Sequence, residues 1–372
     1  TNNTLVGKDA GTAITTGDNN TALGGISLDA LTTGSSNTGL GYAALSDATT
    51  GTLNTAVGMY ALKASTTASS NTAVGYASLW SLTTGTGNVA LGYASGDAIT
   101  TGSNNTALTT STTVSNNTAI GKDALKVATA GYNTAVGSNA LQANTSAESN
   151  VAVGDNALYT ATTGGANVAV GRYALRYSTN ASNNIAVGYN SLGANTTGAN
   201  NTAIGGYALD ANTTANNNTA VGYGSLGANS TGVESTAIGS AALDAQTTGQ
   251  RNVAVGYNAA TALTTGVNNT AIGGDALSTL TTTNSNVAVG KNALLSSTGA
   301  DNTVVGTFAA DANTTGTENV VVGKNALGAN TTGSNNTAVG TDSLGANTTA
   351  SDNTAVGDNA LLSNTTGAGN VA

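Results

Sequence analysis

The most regular feature of the chain is a short phrase, Asn-Thr-Ala-Val-Gly, in which Thr, Ala and Val alternate before a Gly, as at 54–58. With a period of two, Thr and Val lie on one face of a short strand and Ala lies on the other. The phrase therefore predicts a three-residue strand that ends at the Gly. We expect the Val, or the Ile or Leu that replaces it, to point into the core.

The phrase returns at a nearly constant interval along the chain. Counted by its Gly, or by Thr109 in one case, it occurs 22 times between Gly7 and Gly357. The interval from Gly58 to Gly75 is the standard one, and only three of the others are shorter: those that end at Gly121, Gly137 and Gly306. A period this strict, with no longer spacer, predicts one continuous array over residues 1–372.

The rest of each repeat is also regular. The third residue after the Gly is nearly always Ala or Ser, the fourth is Leu in 17 repeats, and a Thr-Thr-Gly turn usually follows. Helical repeats are roughly twice as long as this repeat of about 17 residues, and Asn, Thr, Val and Gly form helices poorly. We therefore predict an all-β fold, a parallel β-solenoid (β-roll) of about 22 coils. Each coil is expected to have two short strands, the second around the Ala-Leu pair.

Stacked coils place residues one repeat apart next to each other along the axis, about 4.8 Å apart. Each column of the repeat then becomes a ladder. We name four columns: the asparagine column, four residues before the Gly; the aliphatic column, one before it; the glycine column; and the leucine column, four after it. The predicted structural residues are Asn54, Asn71, Asn167, Asn184, Asn201, Val57, Val74, Val170, Val187, Ile204, Leu62, Leu79, Leu175, Leu192, Leu209, Gly58, Gly75, Gly171, Gly188 and Gly205.

The asparagine column has two interpretations. Stacked carboxamides form hydrogen-bonded ladders along an axis, but Asn also tolerates left-handed corner angles. The aliphatic column has a single interpretation, in which its side chains point inside. An Asp in place of Val187 is therefore expected to be severely destabilising.

The ends and one internal segment depart from an ideal array. Neither end changes to the polar cap that a solenoid terminus normally carries. We expect the chain to belong to a longer fibre, or its ends to dock onto other subunits. At 109–120 the Gly, the Leu and the turn are lost. We interpret this defect as a deleted half-coil looped outward, with a hinge or a partner site as the alternative.

The composition removes most catalytic chemistry. The chain has no Cys and no His, and only 7% of its residues are charged. Thiolate nucleophiles, Cys-ligated metals and a Ser-His-Asp triad are therefore excluded. We predict no catalytic residue, no cofactor and no metal site, and we do not expect an enzyme. The net charge of −9 disfavours nucleic acid, and no apolar run has the length of a membrane span.

Two motifs, each seen in two stretches, carry a family resemblance. The motif Asn-x-Ala-(Val/Ile)-Gly-x-x-(Ala/Ser), at 71–78 and 117–124, resembles the head repeat of trimeric autotransporter adhesins. Ala-Val-Gly-Tyr-Asn-Ser-Leu at 186–192 and Ala-Val-Gly-Tyr-Gly-Ser-Leu at 220–226 are similar to repeat arrays of phage tail-fibre and tail-fibre-like surface proteins. The resemblance implies a fibre shaft located outside the cell, on a cell surface or on a virion; the adhesins themselves are homotrimers, with a shorter repeat than this one.

Three functions follow as hypotheses. The first is a stiff structural shaft that associates as a homotrimer, a lateral bundle or an end-to-end filament. The second is an ice-binding solenoid that uses the Thr-Thr rows. The third is a glycan-binding solenoid, for which a cell-surface glycan or receptor would be the partner. A row of tyrosines after the Gly could bind glycans or a partner chain, although Tyr also suits a half-exposed strand edge: Tyr42, Tyr76, Tyr93, Tyr189, Tyr223 and Tyr257.

Overall fold

The computed structural model describes residues 2–107 and 114–372. Contacts divide the chain into two units, Thr1–Ser182 and Asn183–Ala372. The described part of the first unit contains strands β1 Thr4–Val6, β2 Thr21–Leu23, β3 Thr38–Leu40, β4 Thr55–Val57, β5 Thr72–Val74, β6 Val89–Leu91, β7 Thr106–Ala107, β8 Thr118–Ile120, β9 Thr134–Val136, β10 Val151–Val153 and β11 Val168–Val170. The second unit contains β12 Ile185–Val187, β13 Thr202–Ile204, β14 Thr219–Val221, β15 Thr236–Ile238, β16 Val253–Val255, β17 Thr270–Ile272, β18 Val287–Val289, β19 Thr303–Val305, β20 Val320–Val322, β21 Thr337–Val339 and β22 Thr354–Val356.

The strands pair as the repeat predicts. Within each unit, successive strands run parallel and pair residue for residue one repeat apart, as Val57 does with Val74 and Val187 with Ile204. The described residues contain no helix. The predicted parallel β-solenoid is therefore confirmed, because only coils of one repeat each can bring equal positions into register along the whole of a unit.

The register survives the irregular intervals. Thr106 pairs with Thr118, and Thr118 pairs with Thr134, although both pairs are closer in sequence than one full repeat. The described strand residues therefore keep their register across both shorter intervals. Residues 108–113, which include positions 109–113 of the predicted outward loop, lie outside the described residues, and positions 118–120 of that segment form strand β8.

The second strand of each coil was predicted wrongly. The Ala-Leu segment is a run of turns, and the Leu itself has a left-handed backbone, with φ of 52° at Leu62 and 50° at Leu192. A left-handed residue cannot continue a strand. This conformation costs about 1–2 kcal/mol for a non-Gly residue, which full burial of the Leu side chain, worth about 1.5–3 kcal/mol, offsets.

The inward face of the strand was also predicted wrongly. The Ala two residues before the Gly is fully buried, as at Ala186 and Ala203, whereas Ile204 in the aliphatic column is 41% exposed and Val187 is half-buried. The space inside the coil decides which face of the strand points inward. At Gly39, which takes the place of this Ala, an added Cβ would lie 2.5 Å from the Ser27 Oγ and 3.4 Å from the Leu28 Cγ. The Ala and Leu columns therefore form the core, and the aliphatic column faces outward.

The glycine column is required by the stacking itself. Gly205 has a φ of 135°, and a Cβ added there would lie 2.5 Å from the carbonyl oxygen of Gly222 in the next coil. That φ is accessible almost only to Gly, and the obstacle is backbone that cannot rotate away. The glycines therefore let consecutive coils approach to hydrogen-bonding distance, as in the bond from the Gly205 N–H to the Val187 carbonyl (2.7 Å).

Candidate functional site

The asparagine column forms a buried amide ladder. In the first unit, the backbone N–H and the Nδ2 of Asn71 both donate to the Oδ1 of Asn54, at 3.0 and 3.1 Å. The same Nδ2 donates to the carbonyl of Gly85 in the next coil, at 3.0 Å. In the second unit, Asn201 bonds through its backbone N–H to the Oδ1 of Asn184 and through its Nδ2 to the carbonyl of Ala215. Each carboxamide thus joins three coils.

The left-handed corner belongs to the preceding residue. Asn200 has a φ of 58° and Ser70 a φ of 60°, while Asn201 and Asn71 lie outside the left-handed region. The frequent Asn-Asn pairs are explained by this division, because the first Asn makes the corner and the second makes the ladder. Both interpretations of Asn in the sequence are therefore present, at adjacent positions.

A second amide ladder was missed by the sequence analysis. In the second unit, the Nδ2 of Asn212 donates to the Oδ1 of Asn195 at 2.9 Å, and the Nδ2 of Asn330 donates to the Oδ1 of Asn313 at 2.9 Å. These fully buried residues stand seven positions after the Gly, where the first unit often has an apolar residue such as Leu82. The sequence signal for this ladder is the repeated Ala-Asn-Thr-Thr phrase.

The remaining predicted residues divide between the core and the surface. The five named leucines are fully buried in the turns, and the five named glycines all have a φ between 131° and 136°. The aliphatic residues form ladders in register, but on the outer face of the strands. The structure therefore buries the Asn and Leu columns, leaves the Gly column half-buried and places the aliphatic column on the outer face.

The outer strand face is an uncharged surface. It consists of the aliphatic column and of the Thr, Val or Ile two residues earlier, and we call it the strand face. In the second unit, Ile185, Ile204, Ile238 and Val320 on this face are 41–43% exposed, and no charged residue occurs in either column of the described strands. Exposed Ile and Val side chains recur along this uncharged strip, and exposed apolar side chains grouped in this way are typical of an interaction surface.

The tyrosines form two exposed groups. In the second unit, the ring of Tyr207 lies 5.2 Å from that of Tyr189 and 5.7 Å from that of Tyr223, both edge-on. In the first unit, Tyr76 and Tyr93 stack at 5.1 Å. Tyr207 stands two residues after its Gly, so residues outside the predicted row complete the groups.

The Thr-Thr rows carry hydrogen bonds along the axis. The Oγ1 of Thr196 donates to the carbonyl of Thr213 at 3.0 Å, and the Oγ1 of Thr213 donates to the carbonyl of Ser230 at 3.2 Å. These hydroxyl protons are used within the solenoid. The first Thr of each pair is therefore poorly suited to the ice-binding role that the sequence suggested for the rows.

Two carboxylates of the second unit border the space beside Gly227, which has no side chain to fill it. The Oδ1 atoms of Asp244 and Asp210 lie 2.7 and 3.7 Å from the point where a Cβ on Gly227 would stand. Burial raises the pKa of Asp244, and burial followed by the charge of Asp244 raises the pKa of Asp210. Within residues 2–107 and 114–372, no three acidic side chains are placed to hold a metal ion.

These raised pKa values predict an unusual pH dependence. The folded state holds the proton of Asp244 more tightly than the unfolded state, so the free energy of unfolding falls as pH rises from about 4 through the folded-state pKa. We expect Asp244→Asn to raise the urea midpoint at pH 7 and to have little effect at pH 3.5. Asp301→Asn, an exposed site with the same change of charge, is the control. Equal gains in both variants would assign the effect to net charge.

No protein-family model and no curated protein matches the chain. Among the residues that the structure describes, no helix has the length and hydropathy that a membrane crossing needs.

Proposed function

We propose that the protein is a structural component, a stiff shaft of an extracellular, cell-surface or virion fibre, without catalytic activity. The observation that carries this proposal is the strand face, an uncharged strip that runs along all eleven strands of the second unit. Two further features support it. Buried amide ladders connect neighbouring coils, and the repeat resembles those of tail-fibre-like surface proteins and trimeric adhesins.

A second copy of this chain fits the strand face better than an unrelated partner does. Eleven coils at about 4.8 Å, each about 10 Å wide, give roughly 500 Å² per unit and per copy. Two copies paired through one unit each would bury roughly 1,000 Å² in total, the lower limit for a specific interface. Only a chain with the same axial period keeps its side chains in register over that distance. Lateral association, as a homotrimer or a bundle, is therefore part of the proposal.

The test combines electron microscopy with sedimentation. We expect wild-type protein to form fibres or oligomers of uniform width. The double variant Ile204→Lys and Ile238→Lys places charge on the strand face, and it should sediment as a monomer with an unchanged circular dichroism spectrum. Thr197→Lys with Thr231→Lys adds the same charge at exposed turn positions and should assemble normally. Wild-type monomers at all concentrations would contradict the proposal.

A second candidate function is ice binding by the strand face. Thr202, Thr219 and Thr236 lie in register on this face, one coil apart, beside the aliphatic column. A flat row of hydroxyl and methyl groups suits an ordered water layer better than the Thr-Thr turns do. Thermal hysteresis of the wild-type protein, lost in the strand-face lysine variant, would favour this function over the shaft.

A further inference from the structure

A cleft opens on the side of the second unit, in the turns that follow strands β19 to β22, and its volume is about 500 Å³. One wall is made by residues two positions after the Gly, namely Phe308, Asn325 and Asp342. The floor is made by residues five positions after it, including Asp311, Gly328 and Gly345. Volumes of roughly 300–1,000 Å³ are typical of small-ligand sites.

The cleft exists because two successive coils lack a side chain in the floor. Gly328 and Gly345 stand where other coils of this unit carry Asp210, Asp244 or Leu295. The N–H groups of Gly328 and Gly345 donate to the carbonyls of Asn325 and Asp342, both at 3.1 Å. The floor is therefore fixed to the wall by backbone hydrogen bonds, and the open space is a preformed part of the turns.

The polar groups of the cleft are oriented. The Nδ2 of Asn325 donates to the Oδ1 of Asp342 at 3.0 Å, which holds amide and carboxylate side by side along the wall. At the end of the floor, the Asp311 Oδ1 lies 3.8 Å from the point where a Cβ on Gly328 would stand, so this carboxylate borders the empty space. Burial raises the pKa of Asp311, which is consistent with a partly desolvated position.

Phe308 supplies an apolar face beside these groups. Its side chain is 37% exposed although its backbone is left-handed, with a φ of 56°. A bulky aromatic residue is rare in that conformation, and Asn occupies the same position in the next coil. The residues that line the cleft include no Lys or Arg, which disfavours phosphate, sulfate and acidic sugars.

We propose that this cleft binds a neutral pyranose unit of a glycan. The ring of Phe308 would pack against the C–H face of the sugar, as aromatic side chains do in ligand pockets. The carboxylates of Asp311 and Asp342 would accept hydrogen bonds from its hydroxyl groups, and bonds to a charged acceptor are the stronger kind. This inference goes beyond the structural role and does not depend on assembly of the chain into fibres.

The test uses saturation-transfer NMR and calorimetry with glucose, galactose, mannose, N-acetylglucosamine and their disaccharides. We expect at least one of these sugars to bind the full-length chain. Phe308→Asn restores the residue usual at a left-handed position, so it should fold at least as stably and bind at least tenfold more weakly. Gly328→Leu fills the floor with the residue that Leu295 provides elsewhere and should also abolish binding.

The control is Gly193→Leu, a substitution in the same column outside the cleft, which should keep the wild-type affinity. Absence of binding by every sugar in the panel would overturn the proposal. So would equal affinity in Phe308→Asn, Gly328→Leu and the wild type, and so would binding of calcium ions alone at these residues without any sugar. Urea unfolding of each variant separates loss of the site from loss of the fold.

Discussion

Ala186→Asp is expected to destabilise the second unit by more than about 4 kcal/mol, whereas Val187→Asp is expected to cost less than about 1 kcal/mol. Ala186 is fully buried and stacks on Ala203 in the next coil. A carboxylate there would lack a hydrogen-bonding partner in an apolar interior, which is among the most costly of single substitutions. Val187 lies on the strand face, where an Asp side chain reaches water.

Urea unfolding followed by circular dichroism measures both variants against the wild type. The sequence alone predicted the opposite order, because it placed the aliphatic column inside. A larger loss for Val187→Asp than for Ala186→Asp would therefore restore the sequence-based interpretation and show that the strand is turned the other way.

Asn201→Ala is expected to cost about 3–5 kcal/mol. Its Oδ1 accepts the backbone N–H of Asn218 at 3.0 Å, and its Nδ2 donates to the carbonyl of Ala215 at 2.8 Å. Both partners would remain buried without these bonds, and each buried polar group left unsatisfied costs about 1–3 kcal/mol. Hydrogen exchange should show the added opening at the amide of Asn218.

Asn200→Gly is the matched control for this prediction. Asn200 is exposed and left-handed, and Gly adopts that conformation without strain, so we expect a change below about 0.5 kcal/mol. If Asn201→Ala were as mild as Asn200→Gly, water would have to satisfy the Asn218 amide, and the ladder would contribute little to stability.

The predicted ladders show where interpretation of the repeat succeeds. The pairing of Val187 with Ile204 and the stacking of Gly205 on Gly222 both follow from the constant interval between repeats, because a parallel solenoid with one period can only stack equal positions. The roles of the two residues in each Asn-Asn pair were harder to predict from the repeat. Their two members make a corner and a ladder, and a pattern of residue types does not separate the two roles.

The second strand and the cleft show where such interpretation fails. A buried Leu in an alternating segment resembles a strand residue, and nothing local in the sequence indicates the left-handed φ of Leu192. Gly328 and Gly345 do not stand out among 50 glycines. They form a cleft only because stacking places them in adjacent coils beneath Phe308 and Asn325.

The alternation of residue types and the constant interval between repeats established three features: the period, the position of each strand before its Gly, and the register of the columns. None of these depends on contacts across the coil. Three features depend on such contacts and came only from the folded coil: which face of the strand is inside, that each coil has one strand, and which side chains border the cleft. The reason is the cross-section of the coil. Alternation states that Thr and Val share a face, but only the space left between the turns selects Ala for the interior.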